Sequence, residues 1–322
     1  EFISQSKFPI TLFALNSGRN LFDTWQWYIS EKDLCILNYF DKKNEKAREL
    51  NLIDKSNYLI IDSISAFLLH RFELLEIIHG FFNEVYYPHY LLDELNGIIL
   101  QESLFHIKPN IPKTTLFSKN GELFRLEYSV EEIQKFLNHL EALKVIIKDK
   151  TIGLSPEFDS IKTKKFSKLL HKSTLQTFLG KHENNQVIIC DELLIRSIFE
   201  SEYNIKSMST YVLLHYLMLK SKISNDKYYK CKYEMISYGY SHIPINCFVI
   251  LQSLKDYEFD YKNIYFKNVI KSLFDPSITK YSAKRVFRYF LSLLNEHNIS
   301  QSLINDILIE IKTIENDMVR HK

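Results

Sequence analysis

The sequence contains little glycine, proline and cysteine, and these shortages exclude several classes of protein. Its 322 residues include only 7 Gly and 7 Pro, too few for a collagen-like repeat, a low-complexity chain or a glycine-rich phosphate loop. Its 4 Cys have no paired short spacing, which argues against a disulfide framework or a zinc knuckle. No apolar run approaches the ~20 residues of a membrane span, and no signal-peptide pattern opens the chain. We therefore expect a soluble, cytoplasmic protein with reduced thiols.

The charge of the chain is nearly balanced. Lys and Arg number 41 against 39 Asp and Glu, a net charge of +2, so the overall charge does not call for a polyanionic partner. A length of 322 residues exceeds one average domain and favours two units or one domain with additions. The chain opens with Glu1 rather than Met, which is compatible with residues 1–56 being a remnant of a larger region.

Two short apolar runs each end in an acid. Residues 58–61 stop at Asp62, and residues 187–190 stop at Asp191 and Glu192. Short apolar runs followed by helical patterning are typical of buried parallel strands in an α/β sheet, whose ligands collect at the carboxyl ends of the strands. Carboxylates brought there from distant segments repel one another unless a cation lies between them. The pattern therefore predicts a divalent-metal site.

The alternation of strands and helices predicts three regions. Residues 1–56 have no clear fold, residues 57–223 form an α/β domain with an insertion at about 108–165, and residues 224–322 form a helical C-terminal domain. Strands followed by helices imply parallel pairing through right-handed crossovers. The pattern predicts strands at 58–61, 85–88 and 204–208, one helix from Ile64 that Gly80 closes, a helix at 130–143 and a loop at 238–244. The predicted fold class is α/β, a parallel sheet flanked by helices and followed by an all-helical unit.

The order of these segments resembles that of PIN-domain nucleases over residues 57–223. Members of that family have an Asp after the first strand, a Glu-Leu pair on a helix that follows a strand and Pro, and an acidic pair that opens a later helix, often followed by Arg. The matching residues here are Asp62, Glu94 after Pro88, Asp191 with Glu192, and Arg196. Three features depart from the family pattern: the insertion, Ser209 in place of Gly before Thr210, and Glu192 where Asp is common.

The resemblance implies a metal-dependent endonuclease, with Mg²⁺ or Mn²⁺ as the cofactor. Asp62, Glu94 and Asp191 would hold the metal, because these ions prefer hard oxygen ligands, and Glu192 would act with them in catalysis. The resemblance further implies single-stranded nucleic acid as substrate, RNA in preference to DNA, and a role as a toxin or defence effector. It leaves room for an inhibitory protein partner or a homo-oligomer. The expected substrate-binding residues are Arg196, Thr210, Lys164 and Lys165.

Basic stretches with interleaved aromatic residues offer a further nucleic-acid surface. They lie at residues 162–172, 227–233 and 280–289. Lysine and arginine neutralise phosphates while aromatic faces stack on unpaired bases. For any one stretch, a solvated helix face is the favoured alternative.

Each candidate residue also has a purely structural interpretation. Asp62 and the Asp191–Glu192 pair suit the N-terminus of a helix, and Glu94 suits a solvated helix face, where Asp93 is its chief rival as a ligand. Arg196 suits an ion pair with an acid. The alternative function is accordingly a catalytically inactive PIN-like module that binds nucleic acid or a protein. A haloacid-type enzyme is disfavoured because Ile64 stands where its second Asp belongs.

Overall fold

A computed structural model describes residues 9–30, 36–37, 45–56, 58–107, 113–119, 122–154, 170–180, 185–275 and 278–320. These residues divide into two compact units. The sheet unit comprises Ala14–Phe22 and Ser56–Ile189, and the helical unit comprises Glu1–Phe13, Asp23–Lys55 and Cys190–Lys322. Among the described residues, no helix combines the length and the apolar character that crossing a membrane requires.

Within the described ranges the chain forms fifteen helices and nine strands. The helices are α1 (Ile10–Ser17), α2 (Leu21–Ser30), α3 (Glu45–Asp54), α4 (Ser63–Arg71), α5 (Leu75–Phe81), α6 (His89–Ile107), α7 (Val130–Ile147), α8 (Lys172–Leu179), α9 (Leu193–Tyr203), α10 (Thr210–Leu219), α11 (Asn225–Ser237), α12 (Cys247–Lys255), α13 (Ile264–Leu273), α14 (Lys280–Glu296) and α15 (Gln301–Arg320). The strands are β1 (Ile36–Leu37), β2 (Tyr58–Ile61), β3 (Glu84–Pro88), β4 (Lys113–Lys119), β5 (Glu122–Tyr128), β6 (Thr151–Ile152), β7 (Gln186–Ile189), β8 (Ser207–Met208) and β9 (Tyr240–Ser241).

The central sheet has five strands in the order β6-β3-β2-β7-β8. Strand β2 pairs in parallel with β3 on one side and with β7 on the other, and the register aligns Ile61 with Ile189. Both of these residues are fully buried, as are Ile60 and Ile188 beside them. Continuous apolar strands of this kind are covered on both faces, which is the usual setting of a parallel sheet. The predicted α/β class with a parallel sheet and flanking helices is confirmed.

The helical pattern after β2 is interrupted where the sequence predicted a single helix ending at Gly80. Helix α4 ends at Arg71 and α5 begins at Leu75. Glu73, between them, has φ 57°, a left-handed conformation that an α-helix cannot continue through. Gly80 lies inside α5 rather than after its end. The prediction of one helix closed by Gly80 was wrong because apolar spacing continues across the break.

The predicted insertion contains regular structure in its described part. Strands β4 and β5 form an antiparallel pair in which Lys113 lies opposite Tyr128. Helix α7 follows at once and begins with a capping box, in which Ser129 and Glu132 exchange side-chain and backbone hydrogen bonds. The predicted helix at 130–143 is present and continues to Ile147.

The helical unit includes residues from both ends of the chain. Helix α3 packs against α10, and α11 packs against α12 and α13. Strand β1 pairs in parallel with β9, with Ile36 opposite Tyr240, in a segment that the sequence predicted to be a loop. The strand predicted at 204–208 is shorter, Ser207–Met208, because Asn204 takes a left-handed conformation, φ 55°, at the end of α9.

Candidate functional site

Asp62 directly follows β2 and begins the next helix. Its backbone N–H donates to the carbonyl oxygen of Ile189, 2.9 Å away, which extends the β2–β7 pairing by one bond. Its side-chain Oδ1 accepts a hydrogen bond of 2.6 Å from the backbone N–H of Ser65, so that Asp62 is the N-cap of α4. The residue is 6% exposed. Asp62 therefore has a defined structural role at the carboxyl end of a central strand.

Glu94 is a buried carboxylate of α6, and its rival Asp93 is not buried. Oε1 of Glu94 accepts a hydrogen bond of 2.9 Å from the backbone N–H of Phe22, the second residue of α2. The Asp93 side chain is 58% exposed, and its Oδ1 lies 3.6 Å from Nε2 of His89. Between these two acids, burial distinguishes Glu94, which is 8% exposed, as the candidate ligand.

Asp191 lies two residues after β7 and is fully buried. Its Oδ1 accepts a hydrogen bond of 2.8 Å from the backbone N–H of Thr210, the first residue of α10. The Thr210 side chain is also fully buried, and in the described part of the chain its hydroxyl has no hydrogen-bond partner. Thr210, predicted to line the site, is thus held beside Asp191.

Glu192 contacts the N-terminal helix α1, to which the sequence assigned no role. Its Oε2 accepts a hydrogen bond of 2.7 Å from the Thr11 hydroxyl, and its Oε1 accepts one of 3.2 Å from the Thr11 backbone N–H. Thr11 is the second residue of α1, and Glu192 is 3% exposed.

All four predicted carboxylates therefore lie at the start of a helix: Asp62 at α4, Glu94 at α2, Asp191 at α10 and Glu192 at α1. The first backbone N–H groups of a helix have no partner within the helix, and the helix dipole favours negative charge there. A buried carboxylate at such a position is stabilised without a metal. A carboxylate offers about four acceptor positions, so a hydrogen bond to the start of a helix does not by itself exclude a cation.

Arg196 forms a buried ion pair with Glu49 of α3. Its Nη1 lies 2.7 Å from Oε1 of Glu49, and the two side chains are 4% and 0% exposed. Arg196 was expected to contact either an acid or a phosphate, and its partner comes from the N-terminal segment. Neither Glu49 nor this pairing was foreseen, since 147 residues separate the two. The other predicted substrate contacts, Lys164 and Lys165, lie outside the described residues.

The basic stretch at 227–233 does not lie on a solvated helix face throughout. Lys230 is exposed, but Lys232 is only 2% exposed and Tyr228 only 4%. Burial, with a smaller effect from the positive charge of Lys46, lowers the pKa of Lys232 to about 7. The signal was present in the sequence, because Tyr228, Lys232 and Met235 recur at the spacing of one helix face.

The donor chemistry suits a hard cation, but the described residues form no compact metal cluster. Carboxylate oxygens are the ligands that Mg²⁺ and Mn²⁺ prefer. The residues for which the structure gives positions contain no group of three or more His, Cys, Asp or Glu side chains that could hold a metal ion. Asp62 and Glu94 belong to the sheet unit, and Asp191 and Glu192 to the helical unit.

Comparisons with known proteins give no match. No protein-family model matches the chain, and neither does any curated protein or any solved structure. A function for this chain therefore has to be argued from its own residues.

Proposed function

We propose that this protein is a divalent-metal-dependent endonuclease of PIN type that hydrolyses phosphodiester bonds in single-stranded nucleic acid, RNA in preference to DNA. The observation that carries this proposal is the placement of two buried aspartates after neighbouring parallel strands. Ile61 and Ile189 end their strands in register, and Asp62 and Asp191 follow them by one and two residues. Ligands of parallel sheets collect at this edge.

The proposed roles follow the chemistry of each side chain. Asp62, Glu94 and Asp191 would hold Mg²⁺ or Mn²⁺, which when bound lowers the pKa of a water molecule and offsets charge on the phosphodiester. Glu192 would orient the attacking water. Thr210 would line the site, and Lys164 and Lys165 would neutralise substrate phosphates. Arg196 would act by holding α9 to α3 through Glu49.

A toxin or defence role in the cytoplasm, with an inhibitory protein partner or a homo-oligomer, is the biological setting that we propose for this activity. It rests on the resemblance of Asp62, Glu94 and Asp191 to the family pattern. It also predicts that purified protein cleaves nucleic acid only when no inhibitor is bound.

A cleavage assay with labelled single-stranded RNA and DNA tests the proposal. We expect product with Mn²⁺ or Mg²⁺, none with chelator, and more product from RNA. Asp62→Asn, Glu94→Gln and Asp191→Asn should each abolish cleavage, because the amide is a poorer metal ligand than the carboxylate. Asparagine and glutamine still present an oxygen to the helix N–H groups, so the midpoint of thermal unfolding should change little.

The matched control is Asp93→Asn, since Asp93 adjoins Glu94 on α6 and its side chain is 58% exposed. This variant should cleave as wild type does. Cleavage that persists in chelator, or in the Asp191→Asn variant, would contradict a metal held by these acids.

A catalytically inactive module that binds nucleic acid or a protein is the second candidate. It is favoured by the hydrogen bonds at helix starts that each of the four acids already makes, which explain their burial without an ion. Binding of single-stranded RNA without cleavage under any metal condition, unchanged in Asp191→Asn, would support it over the nuclease.

A further inference from the structure

Helix α14 carries an exposed row of basic and aromatic side chains to which the proposed nuclease chemistry gives no role. The buried face of this helix contains Ala283 and Phe290, and the helix packs against α12. Arg285 and Arg288 each stand two residues from one of these buried members, about 200° around the helix, and therefore on its opposite side. Five exposed residues make up the row, which we call the α14 stripe: Tyr281, Lys284, Arg285, Arg288 and Tyr289.

The positive charge of the α14 stripe is not balanced by acids on its own helix. Together with Lys280, the stripe places four cations in residues 280–288, and the only acid of α14 is Glu296, its last residue. Solvated helix faces gain stability when acids and bases alternate at a spacing of four residues. Lys280 is the first residue of the helix, where the helix dipole disfavours a positive charge. Helix stability therefore does not account for these cations.

The cations of α14 also lack acidic partners from other helices. Within the ranges that the structure describes, none of the four forms an ion pair. Other cations of the helical unit do: Lys220 lies 2.7 Å from Asp54, and Lys267 of α13 lies 3.0 Å from Glu310 of α15. The charge of the α14 stripe is thus available to an external anion.

The two tyrosines of the stripe expose most of their surface. Tyr281 is 76% exposed and Tyr289 is 61% exposed. In the described part of the chain neither ring contacts another aromatic ring, whereas the partly buried Tyr229 stacks on Phe248. Eight residues separate the two tyrosines, about 12 Å along the helix axis. Exposed aromatic faces beside a row of cations match an unpaired polynucleotide, whose bases stack while its phosphates are neutralised.

We propose that the α14 stripe binds single-stranded RNA, with Lys284, Arg285 and Arg288 on the phosphates and with Tyr281 and Tyr289 against the bases. The polyanion follows from the unpaired cations. The single strand follows from the tyrosines, because the bases of a duplex are stacked on one another and present no free face. The choice of RNA over DNA rests on the proposed function.

A membrane surface fits the α14 stripe less well. A helix that lies on a membrane inserts an apolar face into the lipid next to its basic face. The apolar face of α14 is packed inside the helical unit, where Phe290 and Leu294 are fully buried. The stripe therefore offers charge and aromatic faces without an apolar face to insert.

Fluorescence anisotropy of a labelled single-stranded RNA, titrated with the full chain in EDTA at several salt concentrations, tests the phosphate contacts. The double variant Arg285→Gln with Arg288→Gln should lower the slope of log affinity against log salt by about 1.4, because two fewer phosphates are neutralised. The matched control is Lys230→Gln with Lys312→Gln, which removes the same charge from exposed positions on α11 and α15 and should keep the wild-type slope. No binding by wild type, or equal slopes in the two double variants, overturns the proposal.

The tyrosine contacts have a different signature. Tyr281→Ala and Tyr289→Ala should each weaken binding about tenfold with an unchanged salt slope, because stacking involves no counterion release. Ile309→Ala is the control, since Ile309 of α15 is 62% exposed but not aromatic, and it should bind as wild type does. Unchanged affinity in both tyrosine variants, or equal competition by duplex and single-stranded RNA of one length, overturns the single-strand assignment.

Cleavage measured separately distinguishes this surface from the nuclease activity. RNA binding that depends on the stripe, without cleavage in Mn²⁺, supports the surface and contradicts the nuclease. Cleavage in Mn²⁺, with RNA affinity unchanged in the variants of the stripe, overturns the surface alone. Tighter binding of DNA of the same sequence overturns the choice of RNA. Binding to phosphatidylserine vesicles but not to RNA overturns the nucleic-acid partner altogether.

Discussion

The four buried carboxylates and the buried amine of Lys232 are stabilised in opposite ways. Asp62, Glu94, Asp191 and Glu192 each accept a hydrogen bond from the backbone N–H of a residue in the first turn of a helix. Lys232 has two aromatic faces and a neighbouring lysine instead. The chain therefore compensates its buried acids internally, and it does not compensate this buried amine with an acid in its described part.

This difference follows from what the polypeptide backbone offers. A helix start presents several N–H donors and a positive partial charge, which any nearby carboxylate can use. A buried ammonium in the middle of packed helices meets side chains only, so its pKa falls, as it does for Lys232. A carboxylate at a helix start is thus compatible with a purely structural role.

The largest effect is expected where a buried carboxylate loses the guanidinium with which it forms an ion pair. Arg196→Met would leave the Glu49 carboxylate, 0% exposed, without the guanidinium that lies 2.7 Å from it. Breaking a buried pair from one side costs about 3–5 kcal/mol, because the remaining charge stays desolvated. Chemical denaturation should report a fall of that size in the free energy of unfolding.

Arg48→Gln is the control for this experiment, because the ion pair of Arg48 with Glu200 joins the same two helices as the pair of Arg196 with Glu49. Arg48 of α3 pairs with Glu200 of α9, and their side chains are 47% and 40% exposed. Exposed pairs contribute about 0–1 kcal/mol, so this variant should unfold close to wild type. Equal losses in the Arg48 and Arg196 variants would mean that burial does not decide the strength of these pairs.

The next effect concerns the pH dependence of stability. The pKa of Lys232 is lowered to about 7 in the folded protein, so between about pH 7 and pH 10 the unfolded chain binds a proton that the folded chain does not. Stability from this group therefore rises with pH across that window and is constant below it. Lys232→Met should remove the rise and should unfold less readily than wild type at pH 7, by a few kcal/mol.

The other titratable groups near Lys232 do not make stability rise with pH in this window. Burial lowers the pKa of His215 to about 4, well below the window, and burial raises that of Tyr228 above it. Lys46 faces Lys232 from α3, and its positive charge adds to the lowering of the Lys232 pKa. If guanidinium melts at pH 7, 8, 9 and 10 give Lys232→Met the same slope as wild type, then Lys232 is charged in the folded state and another anion compensates it.

Local patterns predicted the sheet unit well and the N-terminal helices not at all. The strand at 58–61 matches β2, and the strand predicted at 85–88 is β3, one residue longer. Apolar runs and helical periods are properties of neighbouring residues and can be read from sequence. Helices α1 and α2 have only 8 and 10 residues. Glu192, which accepts a hydrogen bond at the start of α1, is 181 residues from its partner Thr11 in sequence, and Glu94, at the start of α2, is 72 residues from Phe22.

The sequence predicted which residues belong to the candidate site, but it did not predict which residues they contact. Sequence alone singled out Asp62, Asp191 and Glu192 because each follows an apolar strand, and all three are buried. It did not find Glu49 as the partner of Arg196, since an ion pair between distant helices leaves no local pattern. Lys232 was assigned to a charged stretch, although its spacing from Tyr228 marks the buried face of α11.

The smallest effect is expected from two variants of Asp191, which distinguish the contribution of its acceptor oxygen from that of its charge. Asp191→Ala removes the acceptor that the Thr210 N–H uses at the start of α10 and should cost about 1–2 kcal/mol, as the loss of a helix cap does. Asp191→Asn keeps an oxygen there and should cost less, because only the interaction of charge with the helix dipole is lost. Urea denaturation of both variants measures how much free energy of unfolding is lost with the hydrogen-bond acceptor and how much is lost with the charge. Equal losses would mean that the charge of Asp191, and not its hydrogen bond to the Thr210 N–H, holds it at the start of α10.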